Sequence, residues 1–387
     1  MDIQNNNAIC PVPFYSVSYN TTGVMGPCTH CDLTEFKSIN DYWNSTELKK
    51  LRTDMLNGIR NPACSLCHSR EDAGAVTLRT HALQKNKDFV YKIDNNVITQ
   101  LLSRFSNICN FMCLDCNATA SSLIFKEELD KGLKIKNKEY PIIYSGQDPN
   151  LLLEQMKEHI HTVENLSFSG GEPTIHPQHW DLLNYMVDNK LQPNLNYFTN
   201  FSKLVYKGQD IVDLWNHFPN IRVHIGFDAM EEAGDYFRYK MNWDQTIKNV
   251  RRVNLEAPHV KLIITVTFTW MTALNAVKMI HWFSENFPDL EVAFNLVIHQ
   301  HLNMQLAPEY KKKQIEKALE SLLTIDQKNY NFDKKMVTGY ISYLWENDRS
   351  NEFAQALKWV KEMDDWRGLD FRNVFPEHQD IKYEDYF

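Results

Sequence analysis

No stretch of this 387-residue chain approaches the roughly 18–20 consecutive apolar residues needed to cross a bilayer. Basic charge is not in excess either. Lys and Arg number 41 against 49 Asp and Glu, and the net charge of −8 leaves no general electrostatic footprint for nucleic acid or an anionic membrane. The opening Met1-Asp2-Ile3-Gln4-Asn5-Asn6-Asn7 lacks the basic and apolar regions of a signal peptide, so the expected location is cytoplasmic and reducing. No Gly-rich phosphate loop, Ser-His-Asp arrangement, internal repeat or low-complexity segment is evident. The basic run Lys311-Lys312-Lys313 reads as a solvated helix face. Cysteine is absent after Cys116. All eight cysteines (10, 28, 31, 64, 67, 109, 113 and 116) lie at or before that point. A disulfide framework would not be confined this way, and clustered cysteines in a reducing compartment read as metal ligands.

Three of the eight stand out. Cys109, Cys113 and Cys116 lie in Asn107-Ile108-Cys109-Asn110-Phe111-Met112-Cys113-Leu114-Asp115-Cys116, a C-x3-C-x2-C spacing. Three thiolates on one short loop match three irons of a cubane [4Fe–4S] cluster and leave the fourth iron open to a substrate or cofactor. A zinc site is the alternative. The triplet follows an apolar, strand-like run at 97–102 and precedes a helix-like stretch at 118–129. A second strand signal at 163–168 runs into Ser169-Gly170-Gly171-Glu172-Pro173.

Strand signals recur at 195–199, 221–227, 261–268 and 291–298, with helical patterns at 180–189, 243–255 and 273–286 between them. Such alternation predicts a parallel sheet, and six units suit a partial (β/α)6 barrel with its chemistry at the C-terminal strand ends. Before it lies a loop-rich segment with five cysteines, and 134–160 reads as a polar insertion. Residues 308–363 read as mostly helical, with Leu319, Leu322 and Leu323 on one face; 366–387 read as an irregular surface tail. Trp270, Trp282, Phe283 and Phe287 read as core, and His299 and His301 as solvated loop residues past the sixth strand.

The cysteine triplet after one strand and Gly-Gly-Glu-Pro after the next resemble the radical S-adenosylmethionine (radical SAM) superfamily over roughly residues 95–300. The resemblance implies that Cys109, Cys113 and Cys116 hold the catalytic cluster, whose open iron is chelated by S-adenosylmethionine. Reductive cleavage then yields a 5′-deoxyadenosyl radical that abstracts hydrogen from a substrate. Gly170 and Gly171 let backbone approach the cofactor closely. Glu172, followed by Pro173, is the candidate acceptor for its ammonium group. Thr199-Asn200 resembles the family's Thr-Asn-Gly, with Phe201 in place of glycine. Gly226-Phe227-Asp228 resembles the end of the fourth strand, with Gly226 where many members carry serine. Arg238 fits an arginine that pairs with the cofactor carboxylate, the alternative being a surface arginine. Asp115 stands where an aromatic or apolar residue usually contacts adenine.

Cys10, Gly23-x4-Cys28, Trp43-Asn44-Ser45 and Cys64-x2-Cys67 resemble the auxiliary-cluster modules called SPASM and twitch, over about residues 8–80. A helix from Ser45, its N-cap, belongs to that pattern. Cys10, Cys28, Cys64 and Cys67 would complete a second [4Fe–4S] cluster suited to electron transfer or structure. Cys28-x2-Cys31 and Cys64-x2-Cys67 also form two zinc-ribbon knuckles. The expected organisation is therefore an auxiliary module at 1–92, a radical SAM partial barrel at 93–305 and a helical extension at 306–387. The implied partners are a peptide or protein substrate and a reductant such as flavodoxin or ferredoxin, with no nucleic acid and no membrane. The alternatives are a sugar or small-molecule substrate, or a non-catalytic metal-binding module with structural zinc.

Overall fold

The computed structural model describes residues 6–21, 23–31, 33–72, 77–95, 97–132, 148–296, 299–325 and 332–387. It is an α/β protein with a mostly parallel sheet and helices between the parallel strands, as a radical SAM partial barrel requires. The chain forms two compact units. The first comprises Met1–Cys109, Ala118–Phe198 and Val205–Ile221; the second comprises Asn110–Asn117, Thr199–Leu204 and Arg222–Phe387.

In the first unit, β1 (Ser16–Tyr19), β2 (Val24–Gly26) and β3 (Thr34–Glu35) form an antiparallel run. Then follow β4 (Gln100–Ser103), β5 (Asn165–Phe168) and β6 (Asn194–Thr199), which pair in parallel, with Gln100 opposite Asn165 and Asn165 opposite Asn194. β1 pairs in parallel with β4, Ser16 opposite Gln100, so the cysteine-rich segment extends the sheet directly. Parallel neighbours need long crossovers, and the helices Pro149–His159 and Pro177–Asp188 supply them. Strand alternation sets the layers. Leu166, Phe168, Leu195 and Tyr197 are buried, while Asn165, Ser167, Asn194 and Asn196 on the other face are half-buried. The helix Thr46–Leu56 starts at Ser45, whose hydroxyl accepts from the Leu48 N–H at 3.2 Å, as its sequence predicts. A small hairpin, β7 (Val205–Tyr206) and β8 (Gln209–Asp210), follows β6.

The second unit contains β9 (Ile221–Gly226), β10 (Val260–Phe268) and β11 (Glu291–Leu296) side by side, the last two parallel. The helices Trp243–Glu256 and Ala273–Asn286 connect them, and 297–298, the end of the expected sixth strand, lie outside the described residues. So does 134–147 of the expected insertion. Helices Glu309–Leu322, Lys334–Glu346 and Phe353–Arg367 follow, as the pattern over 308–363 predicts.

Two expectations fail here. Lys311 and Lys312 are not solvated: both are buried, with their ammonium groups at 2.7 Å from Asp380 and 2.8 Å from Asp348. Their aliphatic stems cover apolar surface while the charged ends find carboxylates. The tail is not merely superficial either. Phe371, Phe375, His378 and Ile381 are buried, and Phe371 and His378 set their rings against Trp270. Asp364 anchors it by accepting from the Tyr236 hydroxyl at 2.7 Å and the Phe371 N–H at 2.9 Å. The aromatic side chains of this aromatic and acidic tail bury themselves and draw it inward.

Candidate active site

The loop between β4 and the helix Ser122–Asp130 carries the three cysteines. Ser121 caps that helix through the Ile124 N–H. Cys109 belongs to the first unit and Cys113 and Cys116 to the second, on one continuous stretch of chain.

Within the first unit the Gly-Gly-Glu-Pro segment locks onto the residue before Cys109. The Glu172 N–H donates to the Ile108 carbonyl at 2.8 Å. Gly171, at φ +57°, lies so close that a Cβ there would overlap the Ile108 carbonyl oxygen. Gly170, at φ +78°, presses on the Arg104 side chain, whose Nε donates to Ser169 Oγ at 3.1 Å. Both glycines therefore serve conformation and close approach, as the motif suggests. Glu172 is fully buried, and its Oε1 caps the turn Pro173–Ile175 by accepting from the Thr174 N–H at 3.0 Å and hydroxyl at 2.7 Å. Ser106 Oγ accepts from the Ile108 N–H at 3.0 Å and lies 3.3 Å from His176 Nδ1. Burial pushes His176 down to about 4, so this partner is a neutral imidazole. Neither Ser106 nor His176 carries a motif signal, and Ile108 acts through backbone, which sequence does not advertise.

Within the second unit, the Met112 and Leu114 N–H groups donate to the Tyr239 and Phe237 carbonyls, each at 2.9 Å. That short ladder brackets Cys113 on one side and Arg238 on the other. The Arg238 Nη1 stands 3.9 Å from Cys113 Sγ, and its Nε stands 2.8 Å from Asp228 Oδ2. Arg238 is thus an inward, ion-paired side chain and not a surface arginine. Asp228 is fully buried at the end of β9, and its Oδ1 accepts from the Thr267 N–H at 3.1 Å. Burial raises the Asp228 carboxyl, and the guanidinium opposes that rise. Burial also raises the Cys113 thiol, again opposed by Arg238. A cation beside the sulfur favours the thiolate that iron requires. Asp115, half-buried, adds a like charge that raises Asp228.

Thr199, the last residue of β6, and Asn200 belong to the second unit, which takes up the chain at Thr199. Thr199 Oγ1 accepts from the Phe201 N–H at 2.9 Å, and Asn200 Nδ2 donates at 2.9 Å to Asn110 Oδ1, inside the cysteine loop. Phe201, where the motif carries glycine, takes φ +57°, the conformation glycine adopts freely. Its buried ring and the Asn249 Nδ2 bond to its carbonyl at 2.8 Å offset that cost. Gly226 has a comparable explanation: a Cβ there would overlap the Arg238 guanidinium. The family's serine does not fit while Arg238 holds this rotamer. Gly226→Ser is expected to displace Arg238 from Asp228 and cost about 1–3 kcal/mol. Thermal unfolding and calorimetric titration with S-adenosylmethionine check this, the expectation being a lower midpoint and weaker binding.

The first unit thus carries a glycine pair that admits no side chain, and the second a buried Asp–Arg pair beside Cys113. Residues 103–270 match the family model of the Radical SAM superfamily. No curated protein matches the chain. Among solved structures it is similar to Streptococcus suis SuiB bound to the precursor peptide SuiA, at 14% identity and TM-score 0.40, covering 75% of this chain and 66% of that one. It is similar to native anSMEcpe with bound AdoMet at 16% identity and TM-score 0.40, covering 58% and 60%. A third likeness is TYW1 with a lysine–pyruvate adduct bound, at 11% identity and TM-score 0.31, covering 58% and 71%. The chain thus spans roughly two thirds of SuiB and less of anSMEcpe.

The other five cysteines lie in the first unit. Cys10, Cys31 and Cys67 are buried and Cys28 and Cys64 partly so. Cys28 and Cys31 form a tight turn, with the Cys31 N–H on the Cys28 carbonyl at 3.3 Å. The Cys31 and Cys64 sulfurs are 3.7 Å apart. Among the described residues no three Cys, His, Asp or Glu side chains converge as they would around one ion, and no helix is long and apolar enough to cross a membrane.

Proposed function

We propose that this chain is a radical SAM enzyme with Cys109, Cys113 and Cys116 as cluster ligands. Gly170, Gly171, Glu172, Pro173, Thr199, Asn200, Asp228 and Arg238 are read as the residues that bind S-adenosylmethionine. The observation that carries this reading is the lock between Gly171-Glu172 and Ile108, because it ties the glycine motif to the residue before Cys109. Bound together, the cluster and S-adenosylmethionine supply a one-electron reductive cleavage and a 5′-deoxyadenosyl radical. The chain's residues bind and orient. Arg238 holds positive charge beside the Cys113 sulfur, and Asp228 keeps that guanidinium in place. The buried setting removes competing water and strengthens these charges.

The N-terminal cysteines are read as a second, auxiliary cluster in an accessory module at 1–92, ahead of the barrel at 93–305 and the helical extension at 306–387. A structural zinc is the competing reading. Zn–S bonds of about 2.3 Å place tetrahedral thiolates about 3.8 Å apart. The Cys31–Cys64 pair has that spacing at 3.7 Å. The substrate is read as a peptide or protein. Gln100, Asn165, Ser167, Asn194 and Asn196 share one face of β4–β6 with Leu102 and Phe198, a mixture of uncharged hydrogen-bonding and apolar groups that suits a peptide. A flavodoxin- or ferredoxin-class reductant in a reducing compartment completes the requirements.

The test is anaerobic reconstitution with iron and sulfide, reduction by dithionite and addition of S-adenosylmethionine. The expected result is 5′-deoxyadenosine with about eight irons per chain. A filled cluster that yields no deoxyadenosine overturns the reading.

A further inference from the structure

We propose that Arg79 is a positioning residue for the N-terminal cysteine centre. It clamps the Cys10 segment to the helix that carries Cys67, and its ion pair with Glu71 orients a fixed field at that centre. This rests on the reading that the N-terminal cysteines hold a cluster.

Cys10 and Cys67 are far apart in sequence, so something outside the ligands must hold their segments together before iron arrives. Arg79 does so with one planar group. Its Nη1 donates to the Ile9 carbonyl at 2.8 Å, across 70 residues of sequence, and Ile9 immediately precedes Cys10. Its Nε reaches Glu71 Oε2 at 2.9 Å and Oε1 at 3.1 Å, and its Nη2 also bonds Oε2. Glu71 lies in the helix Ser65–Asp72, one turn after Cys67. The Thr77 hydroxyl also donates to Glu71, and Thr77 caps the helix Leu78–Lys85 on which Arg79 sits. Both charged side chains are about 10% exposed.

A buried pair of this kind persists only when its hydrogen-bonding capacity is met, and removing one partner leaves an uncompensated charge. The fork geometry explains arginine over lysine: one ammonium cannot bond a carboxylate through two nitrogens while a third nitrogen reaches a carbonyl in a fixed direction. The pair also has electrical direction. A cation near a cluster favours its reduced, more negative state, and an anion disfavours it. Losing the arginine and losing the carboxylate charge must therefore shift the potential in opposite directions. A purely mechanical support has no such signature.

The experiment uses the full chain with Cys109, Cys113 and Cys116 replaced by alanine, so that only the N-terminal centre binds iron. Iron per chain, thermal unfolding and the midpoint potential from an EPR-monitored titration are measured for this parent and for Arg79→Lys, Arg79→Gln and Glu71→Gln. The parent is expected to hold about four irons. Arg79→Lys, which keeps the charge but not the fork, loses half or more of the iron. Arg79→Gln lowers the midpoint potential and Glu71→Gln raises it. Glu71→Gln retains an oxygen that accepts from Arg79, so it keeps the test open if the arginine variants unfold. Parent-like iron and potential in every variant, or shifts of the same sign from both ends of the pair, overturn the clamp alone. No iron in the parent overturns the N-terminal centre and the clamp with it.

Discussion

Replacing Cys109, Cys113 and Cys116 together with alanine is expected to reduce 5′-deoxyadenosine formation to background and to lower iron from about eight to about four per chain. The remaining iron is the informative part. On the proposed reading the thiolates are the ligands, and alanine offers none, so the loss of one cubane would follow from chemistry and not from unfolding. The cysteine loop keeps its backbone ladder, because the Met112 and Leu114 N–H bonds to the Tyr239 and Phe237 carbonyls involve no cysteine side chain. Thermal unfolding of the cluster-free variant should therefore stay close to that of the cluster-free parent chain. Full deoxyadenosine yield in the triple variant would place the chemistry elsewhere. Complete loss of iron would remove the N-terminal centre from the account.

Gly171→Ala is expected to be the most damaging single methyl group in the first unit. At φ +57° an L-residue costs about 1–2 kcal/mol. The added Cβ must also displace the Ile108 carbonyl oxygen, which is backbone and cannot rotate away, for about 1–3 kcal/mol more. Relief comes by moving Ile108, and with it Cys109. Displacements of about 1 Å at a reacting centre cost on the order of 100-fold in rate. Deoxyadenosine formation should fall by about that factor, with reduced iron in the radical centre. Gly132→Ala is the control, because Gly132 sits at φ +74° and a Cβ added there would meet nothing within 4 Å. It carries the conformational cost without the collision and should leave iron and turnover unchanged. Equal effects from both substitutions would show that backbone strain alone accounts for the loss.

The fold was legible because its signals are local and periodic. The strand expected at 195–199 is Asn194–Thr199, that expected at 261–268 is Val260–Phe268, and the helix expected at 273–286 is Ala273–Asn286. Asn194–Thr199 alternates buried and less buried residues, Val260–Phe268 is a nearly continuous buried run, and Ala273–Asn286 buries one helical face. The strand expected at 97–102 begins later, at Gln100, because 97–99 precede the pairing with β5. Lys311 and Lys312 misled because composition does not tell which long side chains find a carboxylate on a distant segment, Asp380 for the first and Asp348 for the second.

The candidate site was legible to a different depth. Cysteine spacing and the Gly-Gly-Glu-Pro run are contiguous in sequence and advertise their chemistry directly, since ligand type and backbone freedom reside in the residues themselves. Whether Arg238 is a surface residue or stands 3.9 Å from Cys113 depends on two backbone hydrogen bonds between segments more than a hundred residues apart. The glycine at 226 became intelligible only when the guanidinium that occupies its missing side chain's place was seen. Sequence by itself thus determined the α/β periodicity, where the cysteines cluster and the places where backbone must bend. Tertiary structure alone decided which charges are buried together and which carbonyl meets which amide, because those contacts join distant segments and carry no local signal.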